Sequence, residues 1–532
     1  MRCALQLPAA ALAVAAHAAT ATVAKALWDS PSIQVLRSND VVHVRSAFSP
    51  EHDVVVSVGV GRNGQLDFDR AGLVPEGSPM TFATCAAAEL VHGCNDDSTP
   101  WNVNDTYIGA NHGWFGVREV TSPKHGLAAP AALGSAWSDE KGAKWYVAKV
   151  LDADRLWMMP DNVGTHDRWR FHAEISGSAL EREGGGQTLA IQGSIRTQLV
   201  PSCRVKGRQY LVDGKVPLPE REVVSCARLD VAEEYDIVNP AAALATLKAE
   251  PGRAMDLVGP MLEPLVTNRI LYRFQPMGAC LVEHRSTVHA AMTLGYMGFV
   301  QSRTLVRKPG DALVYLVPGS LPFVAQGRRY DFRAGQDFSE LLKTPVQFGP
   351  AQGNVESAER LPSRFIQVLQ RKEGGKVKFE LGYALGYSLS RGVTRPAERA
   401  ANCETALLIH TSNKSYPHAI DRKMGRLAAG ATFEALAYRQ YFSPRALGDG
   451  AACAYWHQED DGVVVCAEYL QAVAKDALRL PKALAGRAVS VVEATPSVKL
   501  LSGATVPADG LVLSVGEGGG SIVLKLSGGT AR

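Results

Sequence analysis

Between His92 and His125 the chain reads HGCNDDSTPWNVNDTYIGANHGWFGVREVTSPKH, its densest run of residues with chemical capability. The run holds His92, His112 and His125, the carboxylates Asp96, Asp97 and Asp105, Asn111, Tyr107, and the indoles Trp101 and Trp114. His92 and His112 are each followed by glycine, so each imidazole sits where the chain can turn tightly and leave the ring accessible. Aromatic rings beside hydrogen-bonding groups suit a pyranose, whose faces are apolar and whose rim is hydroxyls. Three chemistries compete for this set. A metal site from His92, His112, His125 and a carboxylate has no HExxH or HxH spacing behind it. A paired-carboxylate hydrolase would draw on Asp96, Asp97 and Asp105, or on Asp152 and Asp154, although loop aspartates usually make turns. The residue types fit β-elimination at a uronic acid best. That reaction needs a donor to neutralise the carboxylate, a base near C5 and an acid for the leaving oxygen, which His, Tyr and Arg supply without a metal.

The elements that must position these groups are strands. Val54–Val60, Lys144–Leu151, Thr188–Ile195, Arg269–Phe274, Ala312–Val317 and Lys376–Tyr383 are short runs rich in β-branched and aromatic residues, with turn residues between them. Ala406–Ile409, Val463–Ala467, Leu511–Val515 and Ile522–Leu526 repeat the pattern. A helix is expected over Pro240–Glu250, opened by Asn239-Pro240 and closed by Pro251-Gly252. A second is expected within Ala472–Ala485, interrupted at Pro481. The chain is therefore all-β and mainly antiparallel. One flat sheet of twenty or more strands is not viable. No short repeat marks a β-helix, and periodicity alone leaves a propeller and stacked sandwiches open. The stretch after Pro481, with its Gly-rich turns, reads as a small β-sandwich-like appendage.

The histidine pair, with Asn-His-Gly at its second member, resembles that of secreted β-propeller polysaccharide lyases, the ulvan lyases and the L-rhamnose-α-1,4-D-glucuronate lyases. Lys144–Leu156, Leu294–Gln301 and Ser415–Asp421 also resemble segments of that group. The resemblance implies a seven-bladed β-propeller over residues 30–440, with residues 441–532 forming C-terminal strands and the small appendage. It implies a carbon–oxygen lyase that cleaves beside a uronate and leaves a 4,5-unsaturated product. His112 would move the proton with His92 as partner, Arg170 would neutralise the carboxylate, and Tyr146 would be the second acid/base, with Arg168 a rival to Arg170. The family's near-constant Tyr–Arg separation is not reproduced after His112. A glycoside hydrolase on a similar propeller, or a non-catalytic carbohydrate-binding propeller, is the alternative. No organic cofactor is expected, and a structural Ca²⁺ or Zn²⁺ is compatible with the resemblance.

Each residue also has a plainer role. A lone histidine usually bonds a loop carbonyl, and His92 and His112 are set apart mainly by each other. Tyr146 follows Trp145 in an alternating strand, so packing accounts for it well. Arg168 and Arg170 share one face opposite Trp169 and Phe171, as on any solvated strand. Strand packing explains Tyr296 and His418 equally well.

Composition bounds the partners. The 532 residues are 46% hydrophobic, and 56 Lys plus Arg nearly cancel 53 Asp plus Glu. Without a basic block, nucleic acid is not an expected partner. Arg2, the uncharged Ala4–Ala16 and Ala16-His17-Ala18 read as an export signal over residues 1–18. No later stretch is long and apolar enough to span a membrane, so a secreted monomer acting on a uronic-acid-containing polysaccharide is expected. Cys85/Cys94, Cys203/Cys226 and Cys453/Cys466 lie close enough in sequence to pair, leaving Cys280 with Cys403. Sequence does not fix that connectivity.

Overall fold

The computed structural model describes residues 27–60, 65–93, 106–108, 114–115, 118–161, 175–192, 196–197, 200–201, 203–252, 263–299, 304–305, 312–316, 323–325, 328–330, 346–348, 364–387, 404–410 and 414–528. Most of the strand signals in the sequence became strands, although Thr188–Ile195 is a strand only over Thr188–Ala190 among its described residues. Val54–Val60 lies in the His52–Val60 strand, Lys376–Tyr383 in Lys376–Tyr387, and Ile522–Leu526 in Gly520–Ser527. The expected helix forms as Pro240–Ala249, with the Asn239 side-chain oxygen accepting the Ala242 amide at 3.4 Å. The second expected helix does not form. Val473–Leu478 is a strand paired with Leu511–Val515, and only Lys482–Leu484 turns helically, as a 3₁₀ segment. Alanine content does not compensate for a buried strand partner.

The strands assemble into broad sheets, and this overturns the seven-bladed propeller. A twelve-stranded sheet begins with a meander through Ile33–Ser38, Val41–Ala47, His52–Val60 and Leu66–Pro75. A nine-stranded antiparallel sheet runs in the order Val216–Pro217, Cys203–Val212, Leu229–Val238, Pro264–Phe274, Ala279–Val288, Thr432–Phe442, Lys376–Tyr387, Arg364–Glu373, Ala312–Leu316. Blades of four strands would bury each strand mainly among its sequence neighbours. Here Ala279–Val288 pairs instead with Thr432–Phe442, far along the chain. One core joins the two sheets face to face: Val42, Val54 and Phe68 from the first meet Val231, Tyr272 and Tyr441 from the second. The Phe68 ring lies 6.2 Å from both Phe274 and Tyr441, with the Arg439 guanidinium 3.1 Å above its centroid.

Two smaller units flank this sandwich. A seven-stranded sheet buries Trp137 and Trp145 on one side, while the Pro240–Ala249 helix packs on its other side through Ala243, Leu244 and Leu247. Each fully buried aromatic contributes on the order of 2 kcal/mol or more. Beyond residue 450, a four-stranded sheet (Cys453–Glu459, Gly462–Tyr469, Gly520–Ser527, Ala488–Ala494) shares a core with a three-stranded one. Ala47 and Met277 enter that core from the earlier sheets.

The cysteine pairing is also corrected. Cys85, Cys226, Cys280, Cys453 and Cys466 are buried thiols, and each expected bridge includes at least one of them. Burial in apolar surroundings pushes the Cys85 thiol up to about 11 and the Cys226 thiol up to about 12. The cysteines therefore lend no support to an oxidising compartment. The expected export signal, residues 1–18, lies outside the described residues.

Candidate functional site

Regular alternation in the central strands of the nine-stranded sheet turns one set of side chains into the core and the other outward. On the outward set, pairing across Leu229–Val238, Pro264–Phe274, Ala279–Val288 and Thr432–Phe442 stacks four rungs. They are Asp236–Thr267–Thr287–Thr432, Glu234–Arg269–Arg285–Glu434, Ala232–Leu271–Glu283–Leu436 and Asp230–Arg273–Leu281–Tyr438. A cavity of about 590 Å³ opens over the middle of this face, within the usual size of a small-molecule site. Arg269, Arg285, Glu283, Leu271 and Leu436 are among the residues that line it.

The charges on this face are unevenly satisfied. Asp236 accepts from Arg204 at 2.7 Å, Lys206 at 2.8 Å and Thr267 at 2.6 Å. Burial alone would raise its pKa, and those hydrogen bonds outweigh it, holding the carboxyl below the ordinary range. At the far end Arg273 is shared by Asp230 and Glu283, each at 3.3 Å, and by Asp460 at 3.4 Å. Arg285 meets Glu434 at 3.1 Å. Arg269 has no carboxylate partner among the described residues, although it stands directly opposite Arg285. Like charges opposed across a strand pair are destabilising. An anion placed between the two guanidinium groups removes that repulsion and satisfies the planar donors of Arg269, for which carboxylate geometry is well matched.

His284 borders the cavity, but its ring is committed to the buried side with Asn268 at 3.1 Å and Ser286 at 3.1 Å. Burial pushes its pKa down to about 3, so the ring is neutral at ordinary pH. It supports the floor of the face and is not placed to touch a ligand.

The residues singled out from sequence lie elsewhere. Tyr146 is on Lys144–Val150, packed against Ala148, Met159 and the Pro240–Ala249 helix, with the Lys248 ammonium 4.8 Å from its ring centre. His92 is placed through its backbone on Glu89–Gly93, opposite Ala71 and Thr304. His112 and Arg170, with Arg168, fall outside the described residues. His125 is a structural imidazole. Its Nδ1 accepts the Leu127 amide at 3.0 Å, so Nε2 carries the proton and donates to the Asp152 carbonyl at 2.9 Å. Asp152 and Asp154 serve a turn, Asp152 bound to Arg155 at 2.7 Å and Asp154 accepting the Lys124 amide at 2.8 Å. Among the described residues no group of three or more His, Cys, Asp or Glu side chains converges as a metal site. The arginine face was missed, although Arg269-Ile270-Leu271-Tyr272-Arg273 alternates plainly in the sequence.

No protein-family description matches the sequence, and no curated protein matches it. Similar solved structures include a galactose 1-epimerase from Lactobacillus acidophilus NCFM, at 7% identity and a TM-score of 0.28. The likeness covers 77% of this chain and 98% of that one. A GalM/aldose epimerase homologue from C. elegans matches at 10% identity and a TM-score of 0.23, covering 77% of this chain and 98% of that one. Likenesses this slight transfer no activity. The sheets, by contrast, do not form the propeller on which the lyase resemblance rested. The lyase assignment is therefore withdrawn, together with the propeller hydrolase and the carbohydrate-binding propeller.

Proposed function

We propose that the outward face of the nine-stranded sheet binds a sugar carrying a carboxylate, a uronate, with the acid group between Arg269 and Arg285. The observation that carries this reading is the Arg269 guanidinium, without a carboxylate partner among the described residues and directly opposite a second arginine in a cavity of about 590 Å³. The next rung, about 7 Å further along the strands, offers Glu283 to accept hydrogen bonds from sugar hydroxyls. Leu271 and Leu436 on the same rung give an apolar surface for a ring face. The charged hydrogen bonds decide selectivity, because a neutral sugar leaves both guanidinium groups as they are in the empty site.

Calorimetric titration with D-glucuronate and with D-glucose tests the proposal. Glucuronate is expected to bind at least about tenfold more tightly, the value of one charge-assisted hydrogen bond at the low end of its range. Equal affinity for the two sugars, or no binding of glucuronate, overturns it.

A further inference from the structure

Beyond the residues that line the cavity, the far end of the same sheet face is built partly by the C-terminal unit. The hairpin of Cys453–Glu459 and Gly462–Tyr469 turns through Asp460-Asp461. Several contacts seat it on the Thr432–Phe442 strand, among them the Phe442 ring 4.5 Å from that of Tyr455. The His457 ring stacks on Tyr438 with centres 4.3 Å apart, the Tyr455 and Tyr438 hydroxyls lie 3.2 Å apart, and Gln440 donates to the Trp456 carbonyl at 2.7 Å. Tyr438 belongs to the Asp230–Arg273–Leu281–Tyr438 rung, so the hairpin tip arrives at that rung. Its three acids divide between Lys525 and Arg273. Lys525 holds Asp461 at 2.6 Å and Glu459 at 3.8 Å, while Asp460 reaches Arg273 at 3.4 Å.

Arg273 is 14% exposed and already carries Asp230 and Glu283, so Asp460 is a third carboxylate on one guanidinium. The two ends of the face therefore differ in charge. On the Arg269–Arg285 rung two arginines balance Glu234 and Glu434, whereas at the other end Arg273 and Arg228 are outnumbered by Asp230, Glu283 and Asp460. We propose that Asp460 is a specificity-determining residue. It makes the Arg273 end repel anions, so that a uronate seats with its carboxylate at the Arg269–Arg285 end and a sugar bearing a second anionic group across the ring is rejected. The inference rests on the uronate reading and adds to it the side of the sugar that must be uncharged.

The test compares methyl α-D-glucuronide with its 2-O-sulfate, in which the second anion lies across the ring from C5. Both are titrated calorimetrically into the full chain, into Asp460→Asn and into Asp460→Glu. The intact protein is expected to bind the sulfated sugar at least about threefold more weakly, as expected for like charges across several ångströms of partly screened space. Asp460→Asn should narrow that gap about threefold while leaving the unsulfated sugar within about twofold, and Asp460→Glu should restore it. Salt gives an independent reading on the unmodified protein, because the discrimination should shrink as ionic strength rises past about 0.1 M. An unchanged ratio in Asp460→Asn, or an equal loss for both sugars, overturns the assignment of Asp460 and leaves the uronate site standing. Failure of the intact protein to bind the unsulfated sugar overturns the uronate reading itself, and the Asp460 assignment with it.

Discussion

Replacing Arg269 with alanine separates a ligand-binding arginine from a structural one. In the folded chain Arg269 stands between Glu234 on one strand and Arg285 on the other, with no ion pair to either carboxylate neighbour of its rung. Weak attraction to Glu234 and weak repulsion from Arg285 oppose each other, and the side chain is exposed. Its removal should therefore change unfolding free energy by no more than about 0.5 kcal/mol. The bound carboxylate would lose charge-assisted hydrogen bonds worth about 1.5–3 kcal/mol, which corresponds to a 10- to 150-fold rise in Kd. Urea denaturation and calorimetric titration with D-glucuronate on one preparation read both quantities. Arg285→Ala is the companion variant. It breaks a pair in which both partners are more than half exposed, costs up to about 1 kcal/mol of stability, and leaves Glu434 facing the ligand's acid group. Its binding loss should equal or exceed that of Arg269→Ala. Unchanged glucuronate affinity in Arg269→Ala, or a stability loss beyond about 1.5 kcal/mol, would refute the reasoning.

Three other outcomes follow from groups away from the cavity. His125→Ala removes two hydrogen bonds from a buried loop and should cost about 1–3 kcal/mol by urea denaturation, with glucuronate affinity unchanged. The raised thiols of Cys85 and Cys226 should react with a chromogenic disulfide reagent only after denaturant is added; rapid labelling of either in the native protein contradicts their burial. His284 has a folded pKa pushed down to about 3, so the unfolded chain binds its proton first as pH falls through the ordinary histidine value near 6.5. Stability should then fall with decreasing pH across that window. His284→Gln should remove up to about 1.4 kcal/mol per pH unit from the slope relative to the unmodified protein, and identical slopes would contradict this.

Local structure was legible in the sequence where alternation and turn chemistry decided it. The Leu511–Val515 strand and the Asn239-Pro240 helix start both form where the pattern places them. Alanine-rich Ala472–Ala485 misled because its Val473–Leu478 segment is fixed by pairing with Leu511–Val515, a tertiary partner that helix propensity does not register. How strands divide into sheets was not legible. A run such as Ala279–Val288 looks the same in a blade as in a broad sheet, and only its pairing with Thr432–Phe442 tells them apart. The same holds for the site. The alternation of Arg269 with Arg273 and of Glu283 with Arg285 is visible along each strand, but the Arg269–Arg285 apposition exists only in the register. Histidine spacing drew attention to His92–His125 instead, and within it His125 proved to be loop scaffolding.

A crystal structure of the protein grown with D-glucuronate tests the central claim most directly. The sugar's carboxylate should lie about 2.7–2.9 Å from guanidinium nitrogens of both Arg269 and Arg285, with its ring over Leu271 and Leu436. A sugar bound away from this sheet face, or one seated with its carboxylate toward Arg273, would contradict it.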